Sequence, residues 1–255
     1  MRQRLICLKG NDSMKEDIGK IEKKVQRLFR TACADYRLLE DGDRVLVALS
    51  GGKDSLELLR LLGRQQKILK PKIEVEAIHV VMGNVPYVTD KEYLQATCDE
   101  LGVKLHIVHT SFEEREESKK PRCFMCSWNR RKAIFTFASD RGFNKVALGH
   151  HQDDVIVTYL MNIFYEGAIQ TMPPALKMKF YPVTIIRPMC LIPEEYVKRI
   201  AENYKFKEQI RKCPYEQQTK RTEIAELFKK MERDNPEVRY SLWGSMKNIN
   251  REMLP

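Results

Sequence analysis

The sequence predicts an α/β protein: a doubly wound, parallel five-stranded sheet, preceded by a helical N-terminal segment and followed by a helical C-terminal tail. Three observations carry this. Short apolar, β-rich runs alternate with amphipathic stretches along most of the 255 residues, the pattern of repeated strand–helix units. The first run, Val45 to Leu49, enters the turn Ser50-Gly51-Gly52-Lys53-Asp54-Ser55 and passes straight into Leu56-Glu57-Leu58-Leu59-Arg60-Leu61-Leu62. A later run, Lys145 to Leu148, enters Gly149-His150-His151-Gln152-Asp153-Asp154, again where a helical stretch opens.

Taken in order, residues 12–36 read as a helix, with Ser13 as N-cap and Ile18, Ile21, Val25, Leu28 and Phe29 on one face. Glu40-Asp41-Gly42-Asp43 turns into a strand at 45–49, and the helix after the glycine loop ends near Gly63 to Lys67. A second strand at 73–81 leads to a loop with Gly83, Asn84 and Pro86. Asp90 to Leu101 is helical and Gly102 closes it. A third strand covers 103–109, and the charged stretch Glu113 to Lys120 reads as an exposed loop. Residues 124–142 form a basic amphipathic helix ending at Gly142, 145–148 a fourth strand, 151–165 a helix and 183–187 a fifth strand. A boundary falls near Pro188 to Pro193. The expected organisation is therefore an N-terminal helical segment 1–36, an α/β domain 37–190 and a helical, basic region 191–255. No internal repeat or low-complexity segment interrupts it.

Lys and Arg number 45 against 35 Asp and Glu, a formal charge of +10. That excess points to a polyanionic partner, RNA first, with a merely basic surface as the plainer alternative. No apolar run approaches the roughly 18–20 residues of a membrane span. The apolar part of Met1 to Leu8 is too short for a secretory signal. A cytoplasmic protein with no membrane partner is expected. In a reducing compartment the seven cysteines suggest metal binding or catalysis rather than disulfides.

The glycine turn has the chemistry of a phosphate site. Glycines let backbone N–H groups approach an anion, and the following helix adds its free N–H groups and positive dipole end. Lys53, Ser50 and Ser55 add donors. The spacing is not that of a Walker A loop. In the second turn, Asp153 and Asp154 suit Mg²⁺ beside ATP oxygens, or alternatively a helix N-cap. His150 and His151 are adjacent, so they point different ways on a helix and are not read as a metal pair. Cys123-Phe124-Met125-Cys126 opens a predicted helix, where thiolates are favoured. With Cys213, these two give three ligands for an iron–sulfur cluster with one open iron. A zinc site needs a fourth ligand, and none stands at a suitable spacing. Cys7, Cys33, Cys98 and Cys190 read as small buried hydrophobes.

Together these pieces resemble the tRNA 2-thiocytidine synthetase (TtcA-type) family of PP-loop ATP pyrophosphatases, which share a PP-loop/HUP-like fold. The matching residues run in order: Glu40 to Val45, Ser50 to Ser55, Cys123-x-x-Cys126-Ser127 with Arg130-Arg131, Ala147 to Asp154, Asn162-x-Phe164-Tyr165-x-Gly167, Met172-Pro173-Pro174-x-Leu176, Ile186-Arg187-Pro188, and Cys213. The resemblance implies that ATP adenylates C2 of a tRNA cytidine, at position 32, and that sulfur from a [4Fe-4S] cluster displaces AMP. It implies ATP contacts from Ser50, Gly51, Gly52, Lys53, Asp54, Ser55, Gly149 and His150. Mg²⁺ or ATP would be held by Asp153 or Asp154, and the cluster by Cys123, Cys126 and Cys213. Lys53, Asp54, Asp153, Asp154 and Arg130 are the implied catalytic set, with Arg130 and Arg131 facing RNA phosphate or the anionic transition state. Implied partners are tRNA and a cysteine desulfurase or other sulfur donor, with a homodimer left open. Better-known members carry a second CxxC where this chain has Cys213-Pro214-Tyr215-Glu216, so no spare thiol remains for a persulfide. The segment Val81 to Pro86 also lacks an expected acidic residue. Alternatives are thiolation of another tRNA base, a PP-loop ligase, or an RNA-binding protein with structural cysteines.

Overall fold

The computed structural model describes residues 4–83, 89–112, 122–207 and 220–253, with side chains from residue 18 onward. Six strands form one sheet: β1 (Arg44–Ala48), β2 (Glu74–Met82), β3 (Lys104–Thr110), β4 (Lys145–Ala147), β5 (Ala175–Lys177) and β6 (Thr184–Ile186). Their order is β3-β2-β1-β4-β6-β5. The five strands expected from sequence are the five parallel ones, paired β1–β2, β2–β3, β1–β4 and β4–β6. The sheet is nevertheless six-stranded, because β5 adds antiparallel to β6, with Leu176 opposite Ile185. Three residues are too few to show alternation, and all three are exposed, so no apolar signal marks this edge strand.

Among the described residues, eight α-helices flank the sheet: α1 (Arg4–Asp35), α2 (Lys53–Gln65), α3 (Lys91–Leu101), α4 (Arg122–Asp140), α5 (Gln152–Met161), α6 (Glu194–Asn203), α7 (Lys220–Asp234) and α8 (Val238–Ser245). The first begins eight residues before the expected start at 12, so Ser13 lies inside the helix and not at its cap. The helix expected over 151–165 stops at Met161 and continues as a π turn, Asn162–Glu166, closed by Gly167 at φ +61°. The stretch 113–120, the loop residues Asn84 to Pro86, and Cys213 lie outside the described residues.

The alternation of side chains along β1 builds two cores. Val45, Val47 and Leu49 face one side, where they pack with Ile21, Val25 and Phe29 of α1, Leu58, Leu59 and Leu62 of α2, and Val197 and Ile200 of α6. Leu46 faces the other side, with Ile78, Val80 and Val146 against Ile134, Phe135 and Ala138 of α4. Both sequence-terminal regions thus contribute to the sheet's packing, since α1 and α6 share one core cluster with β1. A third cluster joins Ile156, Val157 and Leu160 of α5 to Ile224 and Phe228 of α7 and Val238 of α8. Burial of each such side chain contributes roughly 1.5–3 kcal/mol.

The chain winds outward from β1 to β3, then returns to lay β4 and β6 on the other side of β1. The switch point lies between the carboxyl ends of β1 and β4, where an open α/β sheet leaves a crevice. Both polar turns identified in the sequence emerge there.

Candidate active site

The turn after β1 is held open for an anion. Gly51 takes φ +83°, a region that glycine enters without strain. Gly52 is the N-cap of α2 and offers no side-chain cap, so the first N–H groups of the helix are left to a ligand. Ser55 braces the loop from within. Its Oγ donates to the Gly52 carbonyl at 2.9 Å and accepts from the Ser50 N–H at 3.2 Å. Ser50 Oγ accepts from the Gly52 N–H at 3.3 Å. The two serines therefore shape the loop as well as line it. Lys53 Nζ lies 3.0 Å from Asp54 Oδ1 and 3.1 Å from Glu194 Oε1. Burial opposes its charge, but Asp54 and Glu194 outweigh burial and hold the ammonium above its ordinary pKa.

The turn after β4 is packed directly against this loop. A Cβ on Gly149 would stand 3.0 Å from the backbone carbon and oxygen of Asp54 and 3.1 Å from the Ser55 nitrogen. Only a glycine lets the two turns approach so closely. His151 is the N-cap of α5: its Nδ1 accepts from the Asp154 N–H, and Asp154 Oδ2 accepts from the His151 N–H at 3.0 Å. This reciprocal capping box turns His151 Nε2 to within 3.9 Å of Asp54 Oδ1. The preceding His150 is used differently. Its Nδ1 accepts from Arg187 Nε at 3.2 Å. Burial lowers its pKa to about 4, with Asp154 opposing and Arg187 and Arg221 adding to the drop, so it is a neutral imidazole near pH 7.

The two adjacent carboxylates separate. Asp153 is buried and bound on both oxygens by Arg239 of α8, at 2.9 and 3.0 Å, and Oδ2 also accepts from the Glu194 N–H at 2.8 Å. Burial works against its ionised form, yet Arg239 holds its pKa below the ordinary carboxylate value. Asp154 instead faces the crevice, paired with Arg221 of α7. Arg221 also donates to Thr158 Oγ1 at 3.1 Å. The resulting cleft of about 370 Å³ lies between the two turns, α6 and α7, and is walled by Lys53, Asp54, His151, Asp154, Glu194, Arg221 and Phe228.

On the other face of the sheet, Cys123 and Cys126 lie in the first turn of α4. Cys123 is exposed and Cys126 half-buried. Cys126 packs at the margin of the core cluster on that face. The helix α4 joins β3 to β4, which run parallel within the sheet, so it returns antiparallel to them and its N-terminal end, with the CxxC, stands at the same carboxyl edge as the two turns. Arg130 follows Cys126 by one turn and is half-buried, on the face that carries both cysteines. Arg131 is exposed and donates to the Ser127 carbonyl at 3.2 Å. Cys98 and Cys190 are buried and Cys33 nearly so, and burial raises all three thiols to about 12. They are inert packing residues, as the sequence suggested.

Nothing in the sequence marks Glu194, Arg221 or Arg239 as site residues. All three lie in the helical tail, outside the two turn motifs, and only tertiary packing brings them to the crevice. Arg187 was visible within Ile186-Arg187-Pro188, without an indicated role. Its guanidinium also donates to the Pro173 carbonyl at 2.6 Å, tying the Met-Pro-Pro segment to the second turn.

The PP-loop domain family matches residues 19–231, a span that contains both turns and the CxxC helix. This chain belongs to that family. Among its relatives, a protein of Pseudomonas putida named tRNA-cytidine(32) 2-sulfurtransferase is 32% identical over 241 residues, covering 92% of this chain and 87% of the relative. The Pseudomonas fluorescens protein of the same name is 34% identical, covering 91% and 85%. The U34-tRNA thiolase NcsA of Methanococcus maripaludis, solved with its [4Fe-4S] cluster, superposes with a TM-score of 0.75 at 28% identity, over 91% of this chain and 82% of that one. Among the described residues, no helix is long and apolar enough to cross a membrane.

Proposed function

We propose that this PP-loop protein is an ATP-dependent tRNA sulfurtransferase that replaces the C2 oxygen of cytidine 32 by sulfur. The observation that carries the reading is the convergence of three groups on one edge of the sheet: the uncapped loop Ser50 to Ser55, the Asp154 turn and the CxxC of α4. The activity for which the Pseudomonas relatives are named supports the same reaction.

The chemistry follows from charge. The C2 oxygen of cytidine is a poor leaving group, and its attack on the α-phosphorus of ATP expels pyrophosphate and leaves an O-adenylate. Sulfide adds at C2, and AMP departs with the former oxygen. The loop N–H groups, Lys53 and the α2 N-terminus bind the triphosphate and stabilise charge on the departing pyrophosphate. Asp154, and not its neighbour, would hold Mg²⁺, because its partner Arg221 is an exposed side chain at the cleft that can yield, whereas Asp153 is locked in a buried two-point pair with Arg239. His151 orients the phosphates from the opposite turn and Asp54 holds the Lys53 ammonium in place within the loop, while Arg130 faces the RNA or the developing anion from the cysteine helix. Gly149 acts by permitting the close approach of the turns, and His150 by fixing Arg187, so neither needs to touch the nucleotide.

Cys123, Cys126 and Cys213 would hold a [4Fe-4S] cluster. The donor set is suitable: two thiols one helical turn apart at a helix N-terminus, with a third from the segment before α7. Such a cluster, when bound, would supply sulfide-level sulfur held by iron. A cysteine desulfurase or another sulfur donor in the cytoplasm would replace the sulfur consumed, together with a two-electron reductant, because desulfurase sulfur arrives at the persulfide level.

Nucleoside mass spectrometry of total tRNA, from cells with and without the gene, tests the reading. Loss of 2-thiocytidine is the expected result. Loss of a thiouridine instead would keep the chemistry and move the target base. An unchanged thionucleoside profile would overturn the proposal.

A further inference from the structure

The π turn that ends α5 carries an apolar surface that the chemistry above does not use. Phe164 is 54% exposed, Tyr165 42% and Ile169 56%. This is an ordered surface. Asn162 Nδ2 donates to the Gln170 carbonyl at 2.8 Å, and Thr171 Oγ1 donates to the Val155 carbonyl at 2.6 Å, so the segment is folded back on α5. Gly167 closes the turn in the left-handed region. Single π turns inside helices often mark functional positions, since the extra residue displaces side chains that a regular helix would keep in register.

The surface is joined to the cleft by cations. Lys220 Nζ stands 4.4 Å from the centre of the Tyr165 ring. The next residue, Arg221, reaches Asp154 and Thr158. A path from Tyr165 through Lys220 and Arg221 thus leads to the carboxylate assigned to Mg²⁺. Glu166 is the one acidic side chain within the turn.

We infer that Phe164 and Tyr165 form a stacking platform for unpaired bases of the RNA substrate, with Lys220 and Arg221 meeting the adjoining phosphates. This rests on the reading of the protein as a tRNA sulfurtransferase and adds where the RNA loop is held. Exposed aromatic rings beside cations are the chemistry by which single-stranded nucleic acid is bound. The bases of an RNA loop are unstacked and available to such rings, whereas those inside a duplex are not. A second copy of the chain is the less suitable occupant, because lysine is depleted from the cores of protein–protein interfaces. The formal charge of +10 also opposes self-association and favours a polyanion.

The test measures binding of an unmodified tRNA transcript, of its isolated anticodon stem-loop and of a blunt RNA duplex to the wild-type protein and to Phe164→Ala, Tyr165→Ala and Lys220→Ala. Each aromatic substitution should weaken tRNA and stem-loop binding by about ten-fold or more. It should leave duplex binding, ATP affinity and the sedimentation coefficient unchanged. Lys220→Ala should reduce the slope of log affinity against log salt by about one, and Phe164→Ala should leave that slope intact. The platform is overturned if the wild type binds tRNA and both aromatic variants bind it within two-fold. It is equally overturned if the aromatic variants only dissociate a dimer. Failure of the wild type to bind any tRNA would instead strike the sulfurtransferase reading itself, and the platform with it.

Discussion

Asp153 and Asp154 are neighbours in sequence with opposite assignments. Asp153 belongs to a buried ion pair with Arg239, and removing one partner of such a pair leaves an uncompensated charge. Asp153→Asn should therefore lower unfolding stability by about 3 kcal/mol, read from urea denaturation. Asp154 faces the cleft, and Asp154→Asn, which keeps an oxygen for the His151 N–H, should cost no more than about 1 kcal/mol in urea denaturation while slowing ATP-dependent AMP formation by roughly 100-fold. Equal losses of stability in both variants would refute the division of roles. Gly149→Ala tests the contact between turns. Its Cβ would press on the Asp54 backbone at 3.0 Å, and overpacking of this kind costs about 1–3 kcal/mol. A lower melting temperature accompanied by weaker ATP binding is expected, because the strain falls on the PP-loop itself.

At the level of the element, the turn that leads into α5 carries a histidine, His150, whose protonation is linked to stability. His150 is held neutral, at about 4, chiefly by burial, against roughly 6.5 in an unfolded chain. The unfolded state therefore binds more protons between these values. The contribution is fully present above about pH 6.5 and is lost as pH falls through 4, amounting to ~3 kcal/mol across the window. His150→Asn should flatten the decline of stability between those pH values in equilibrium unfolding. A decline as steep as that of the wild type would show that other groups carry it. The helix α4 offers a second test. Its two cysteines lie one turn apart at its start, so Cys123→Ser or Cys126→Ser should abolish iron retention and visible cluster absorbance after anaerobic reconstitution. The fold should survive, because Cys123 is exposed and Cys126 only half-buried. Iron bound in equal amount by either variant would remove them from the ligand set.

For the whole molecule, the charge of +10 predicts an electrostatic share in tRNA affinity. With about six phosphate contacts, affinity should fall roughly 10³-fold between 50 and 200 mM salt. An affinity that ignored salt would refute a basic docking surface. The tail helices α7 and α8 connect this scale to the site, since they pack on α5 through Phe228 and Val238 and deliver Arg221 and Arg239 to its two carboxylates. A truncation before α7 is expected to expose α5 and lose nucleotide binding together with stability, as seen by calorimetry with and without ATP.

The features legible from residue order are local. The glycine turn, the Gly-His-His-Gln-Asp-Asp turn and the CxxC each announce themselves by residue type and spacing within a few positions. The inner parallel strands likewise show as apolar runs, because strands covered on both faces need near-continuous hydrophobicity, and the edge strand β3 shows by alternation instead. The three-residue strand β5 stayed invisible, since an exposed edge strand takes its conformation from the neighbour it pairs with. The early start of α1 and the π turn after Met161 were also unmarked. Only the tertiary structure decided which carboxylate is committed to an ion pair, why position 149 is glycine, and that Glu194, Arg221 and Arg239 belong to the cleft. Those facts depend on side chains brought together from positions about 40 to 90 residues apart, and long-range packing, unlike a turn or a helix period, leaves no signature in the order of neighbouring residues.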